Sequence, residues 1–304
     1  MVRKEATMND VVHDDRSASP RMYPEGMAPP VESLDLAKRL LSAHHAEFSA
    51  KRYRQHVELA RLQDQARKLT LAHVQTEGAE FRQLVEAQRT LAERRIKETV
   101  RIRDQGNDLA WDVQTFAQAG LTFAVPPYDF DWVAGSNPGF EHADRRTGGY
   151  DMRQQSIGNG QQNSAAGVGF WFFSGAGNPA QRFAALIDYF DAWWDQAGFY
   201  VAHNTGRTRL WVFGVAENDW VGRADQTPSW SDGVGWLESH GNAPEGEDGT
   251  VANEVYFNAA PNSWYQCWVW SSAEVFGDVG LFGLSASSIE MRIAVKLAIL
   301  GSLG

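Results

Sequence analysis

Five carboxylates, Asp188, Asp191, Asp195, Glu217 and Asp219, stand among Trp193, Trp194 and Trp220. Acids beside flat aromatic faces are what glycoside hydrolysis uses. One carboxyl protonates the leaving oxygen, a second acts as base or nucleophile, and sugar rings stack on the indoles. Nothing in the spacing sets two of these acids at a working separation, so the pattern fits scattered surface acids equally well. The tryptophans of 217–249 carry a different signal. Trp220, Trp230 and Trp236 lie in a loop-like stretch, where a large ring must pack underneath or bind something. With Glu217 and Asp219 they form the candidate ligand-binding set, for a glycan or a surface protein. Trp211, Trp264, Trp268 and Trp270 occupy strand-like runs, and Trp268 or its strand neighbours are expected to fill the core.

The remaining motifs are weaker. Glu245-Gly246-Glu247-Asp248-Gly249 reads as an acidic turn whose oxygens suit Ca²⁺, the one cofactor the sequence suggests, but it lacks the alternating ligand register of an EF-hand. Gly175-Ala176-Gly177, with Asp195 twenty residues past Gly175, has the outline of a dinucleotide fingerprint. That site needs a parallel βαβ unit, and nothing downstream alternates strand with helix. His44 and His45 are adjacent on a helix, about 100° apart, and cannot share an ion within one chain. Cys267 is the single cysteine, so no internal disulfide forms, and it reads as a small buried hydrophobe.

All twelve tryptophans follow residue 110, which divides the chain into two kinds of material. Residues 31–105 hold 15 Lys/Arg and 11 Asp/Glu with no Trp or Pro; residues 106–304 hold 9 and 22. The acidic second part opposes DNA, RNA and anionic lipid, so nucleic acid is not an expected partner. No apolar run is long enough to span a membrane. The basic start Met1-Val2-Arg3-Lys4-Glu5 is not followed by a signal-peptide core, so synthesis in a cytoplasm without a signal peptide is the expectation.

These features predict four regions: an arm over 1–30, a helical stalk over 31–106, a loop-rich connector over 107–165 and a β head over 166–304. Ser33 is the candidate N-cap, and Gly106-Asn107 the stop. Steps of three and four from Leu34 pass through Ala37, Leu41, His44 and Phe48, an interrupted apolar line. A stalk with no other cover should self-associate, as a trimer, along Leu41, Phe48, Leu62, Leu69, Phe81 and Leu84; the alternative is a helical hairpin broken near Gly78. In the head, Asn204-Thr205-Gly206 reads as a hairpin turn. Residues 180–197 fit helix or strand and are taken as strand. Ile289, Met291, Ile293, Val295 and Leu297 alternate with wetter residues, as in a half-buried antiparallel strand. The predicted fold is therefore α+β in two parts: a long helix, then an antiparallel sandwich of jelly-roll type.

This organisation resembles phage tail fibres and other trimeric attachment proteins. The resemblance implies a non-enzymatic oligomer whose weak head sites gain avidity by repetition. A carbohydrate-active enzyme and a pore-forming protein are the rival expectations.

Overall fold

The computed structural model describes residues 21–71, 121–135, 141–158, 160–177, 180–196, 201–234, 239–241, 245–277, 279–280 and 283–302. Among these residues one helix, α1 (Glu32–Leu71), precedes fourteen strands. These are β1 (Leu121–Ala124), β2 (Phe130–Gly135), β3 (Glu141–Asp144), β4 (Gly149–Ile157), β5 (Gly160–Phe173), β6 (Ala180–Gln196) and β7 (Ala202–Gly214). There follow β8 (Asp219–Val234), β9 (Ser239–Gly241), β10 (Glu245–Asn258), β11 (Trp264–Gly277), β12 (Val279–Gly280), β13 (Gly283–Leu284) and β14 (Ala286–Ser302).

A seven-stranded antiparallel sheet runs β10-β6-β14-β4-β3, with β1 added to β14 and β9 to β6; a five-stranded one runs β2-β5-β11-β7-β8. They pack face to face because alternate residues of each are apolar. Val168, Phe170, Leu210, Val212, Cys267 and Val269 from one sheet meet Phe183, Ile187, Met291, Ile293 and Val295 from the other. In β14 the alternation breaks at a register shift between Val295 and Leu297. The bulge puts Ala298 and Leu300 in the core where strict alternation would put Leu297.

The outer face of the five-stranded sheet carries a second core. Phe130, Trp132, Trp171, Trp211, Phe213, Trp268 and Trp270 spread over it, and Ala37 and Leu41 of α1 press on them with no exposed surface. Trp268 is a core residue, but of this outer layer. Glycine makes room for the indoles: a Cβ at Gly167 would collide with Trp270 and come within 2.6 Å of the Val269 carbonyl, and one at Gly169 would strike Phe130.

Several sequence readings change. Leu41 does not lie on an oligomer seam; it is covered by its own chain's tryptophans. Phe48 is half-buried, with the guanidinium carbons of Arg52, Arg207 and Arg209 at 5.2, 5.0 and 5.5 Å from its ring. Leu62 is 56% exposed. Leu69 belongs to α1, though its side chain lies outside the described residues, as do Phe81 and Leu84 and the helix expected beyond Leu71. Ser33 is not an N-cap: α1 starts at Glu32, and the Ser33 hydroxyl donates to the Pro30 carbonyl at 2.9 Å while accepting from Gln266 at 3.0 Å. Asn204-Thr205-Gly206 is not a turn but runs inside β7, paired with β11 and β8. Glu245, Glu247 and Asp248 lie in strand β10, not in a turn. Residues 180–196 form strand. Between 107 and 165, the part described from Leu121 onward builds β1 to β4 and the start of β5, all within the two sheets. The arm is described from Arg21, where Met22 bridges to Phe172 and Tyr23 packs its ring 5.1 Å from Trp264.

Candidate functional site

β7 and β8 form a hairpin whose turn, Val215–Asn218, carries Asn218 at φ 52°, in the left-handed region. Asn tolerates that backbone better than most residues. Immediately after the turn, Trp220 pairs with Phe213 in the ladder. Its indole meets Trp211 edge to face at 4.9 Å and Phe213 at 5.4 Å. The ring is half-buried, held from below and open above. Glu217 and Asp219 are exposed beside it; Asp219 Oδ1 accepts from the Trp220 amide at 2.7 Å. Arg223 extends the group, lying 3.9 Å from Asp219 and over the Trp211 ring at 4.9 Å. From the helix side, His44 packs 4.6 Å from the same Trp211.

Three of the five predicted ligand residues, Glu217, Asp219 and Trp220, therefore converge at one edge of the sheet. Trp230 does not join them. Its backbone pairs with Gly206, seven residues along β7 from Phe213, about 23 Å away at the usual strand rise. Trp236 lies outside the described residues. Nothing local in the sequence marks Arg223; its place in the group comes from the ladder neighbour Trp211.

The five acids of the hydrolase reading do not converge. Asp188 faces outward from β6, ion-paired with Lys296 at 2.5 Å. Asp191 and Asp195 share the inward face about 13 Å apart along the strand, and Asp195 accepts from Asn204 at 2.7 Å. Asn204 lies ten residues down β7 from Gly214, so Glu217 and Asp219 are about 33 Å away. Among the described residues, no group of three or more His, Cys, Asp or Glu could hold a metal ion.

Further along the same outer face the chemistry changes from aromatic to charged. Arg209 and Arg207 follow Trp211 on β7, and Ser272 and Glu274 follow Trp270 on β11. α1 answers with His45, Ser49, Arg52 and His56, spaced to share one helix face. His45 Nε2 donates to Asn163 Oδ1 at 3.0 Å, Gln161 donates to Ser49 Oγ at 2.8 Å, and Arg52 donates to Thr205. His56 packs 4.6 Å from His203. Burial holds His45 down to about 4, with Arg209 and His44 adding to the effect against the Asn163 bond. Burial and then Arg52 hold His56 at about 4. Glu274 is raised, because burial outweighs the attraction of Arg52, Arg209 and Arg207. A cleft of about 590 Å³ opens beside this cluster, lined by His45, Ser49, Tyr53, Gly135, Gln161 and Asn163 among others.

No protein-family model matches the chain, and no curated protein matches it. Among solved structures, carbohydrate-binding modules of the β-sandwich superfamily align at 11% identity and TM-score 0.19, over 60% of this chain and 58% of theirs. TmCBM61 in complex with β-1,4-galactotriose aligns at 11% and 0.14, over 59% and 90%. The enzymatically active domain of bacteriophage CBA120 tailspike protein 4 aligns at 10% and 0.17, over 58% and 19%. The chain thus spans a little over half of the first structure and about a fifth of the tailspike. Likeness at this level assigns neither family nor activity.

Proposed function

We propose that this is a non-enzymatic recognition protein whose β-sandwich, of jelly-roll type, binds glycans at the tip of the β7–β8 hairpin. The observation that carries the reading is Trp220. Its ring is clamped edge-on by Trp211 and Phe213 while part of it stays open to solvent, between two exposed carboxylates that can accept from sugar hydroxyls. A half-exposed indole fixed in orientation loses little freedom when a sugar ring stacks on it. The jelly-roll reading is supported by the order of β4 to β14, which cross between the sheets as two interleaved Greek keys would. Attachment to a surface further needs several heads. Self-association would have to use α1 beyond the sheet, where Val57 and Leu62 are exposed, together with the segment after it. Multivalency would then raise a weak site to useful avidity.

A glycan array probed with the full-length protein tests the site. Binding is expected, with Trp220→Ala weakening it at least tenfold while the variant keeps the circular-dichroism sheet signal of the native protein. Asp219→Asn should weaken it less. Unchanged binding by Trp220→Ala would remove the site from consideration. Light scattering at micromolar concentration addresses assembly, and a clean monomer would refute it.

A further inference from the structure

The aromatic surface that Trp220 begins does not stop at the hairpin. Through Trp211, it continues to Trp268 and Trp270 on β11 and Trp132 on β2, with Trp211 and Trp270 5.1 Å apart and Trp132 and Trp270 5.7 Å apart. All of that continuation lies under α1. We propose that α1 is an acid-sensitive strap over this surface, seated near neutral pH and lifted as pH falls. The strap device stands on the helix contacts below; its consequence for ligand rests on the glycan reading above.

The helix is held in two unlike ways. Its first turns seat Ala37 and Leu41 on the tryptophans, and Ser42 accepts from Trp132 Nε1 at 3.1 Å. From His45 to His56 the contacts to the sheet are polar or aromatic-polar. The groups that meet there are mostly cationic or able to become so. α1 brings His44, His45, Arg52 and His56; β7 brings His203, Arg207 and Arg209; β11 brings Glu274. β5 contributes only the neutral Gln161 and Asn163, and β2 ends here in Ala134 and Gly135. On β8, Asp225 is the ladder neighbour of Arg209, and β3 brings Glu141 against Gly135. Acid adds charge to the imidazoles and removes it from the carboxylates. The charge gained by the imidazoles raises the positive potential between helix and sheet, and in a half-desolvated interface that repulsion is poorly screened.

The direction follows from proton binding. His45 and His56 hold protons near pH 4 when seated and near 6.5 when free, so the lifted state binds more protons between those values. Seating weakens as pH falls through that window. For His45 the full effect is about 300-fold in the seating equilibrium. Glu274 opposes this, since a raised carboxyl favours the seated state as it takes up its proton. It is one group against two. A natural hinge precedes the helix. Met22 and Tyr23 stay pinned to β5 and Trp264, with the Phe173 amide donating to the Met22 carbonyl at 3.1 Å, and Pro29-Pro30 separates them from α1.

The tryptophans beneath the strap report on it directly. Tryptophan emission and far-ultraviolet circular dichroism of the full-length protein are to be followed from pH 7.5 to 4. A red shift with a midpoint between 6.5 and 4, with the sheet signal retained, is expected. His45→Gln with His56→Gln should move that midpoint to lower pH, and Glu274→Gln, which fixes this position in the neutral form that favours the seated state, should lower it as well. Emission unchanged to pH 4, or a red shift that coincides with loss of the sheet signal, would overturn the strap. Glycan affinity measured across the same range separates the two readings. Affinity that rises with the emission shift supports the enlarged site. An emission shift without any glycan binding retains the strap and sinks the glycan assignment.

Discussion

The guanidinium of Arg209 lies 4.4 Å from the ring centroid of Trp270 and donates to Ser272 Oγ at 2.8 Å. This contact marks the line on the sheet where indoles give way to charge. The helix above changes character at the same level, from Ala37 and Leu41 to His45, Ser49, Arg52 and His56. The interrupted apolar line of α1 is therefore a faithful imprint of the surface it covers, with no need for a second helix to explain it.

The two ends of that line should respond differently to truncation. Leu41→Ala leaves a cavity under the tryptophans and is expected to cost about 2–5 kcal/mol. Leu62→Ala removes an exposed side chain and should cost less than about 0.5 kcal/mol. Urea unfolding of both variants checks this; equal effects would mean that α1 is not part of the outer core.

Gly167 and Gly169 should not accept a side chain. Gly167→Ala places a Cβ against Trp270 and the Val269 carbonyl, backbone-linked atoms of a central strand with little room to shift. A loss of about 1–3 kcal/mol is expected, read as a lower denaturant midpoint with an unchanged slope. A neutral result would show that β5 and β11 can shift apart at this point.

Stability should decline in mild acid through His45. Its folded value of about 4 lies below the ordinary 6.5, so above pH 6.5 neither state binds the proton and there is no penalty. Between 6.5 and 4 the unfolded chain takes it first, and stability falls by up to about 3 kcal/mol. His45→Gln should flatten the decline in unfolding free energy over that interval. An identical slope in the variant would assign the acid sensitivity elsewhere.

Cys267 is fully buried, and burial raises its thiol well above the ordinary value. A thiol reagent at pH 8 should leave the native protein unlabelled and modify one sulfur per chain in denaturant. Rapid labelling of native protein would show that the inter-sheet core opens readily.

What the sequence determined by itself was the local pattern. The placement of every tryptophan after residue 110, the run of helix formers from Glu32, and the alternation from Ile289 to Val295 each follow from period and composition. Residues 180–196 fit a helix face as well as a strand, and only their strand neighbours favoured strand; the pairing of acids with Trp220 was visible in the order of the residues. Tertiary structure decided everything that depends on what lies opposite. Periodicity says which face of α1 is apolar but not what covers it, so Leu41 could be read as a seam while it belonged under its own chain's tryptophans. Asn204-Thr205-Gly206 has turn chemistry, but ladders with β11 on one side and β8 on the other satisfy its backbone in extended form. Glu245 and Glu247 are drawn into a strand by their pairing with β6, and Asp248 lies in the same strand at a register shift. Arg223 and the cationic bed under α1 were illegible for the same reason: their neighbours are far away in sequence, and only the register of the sheet brings them into contact.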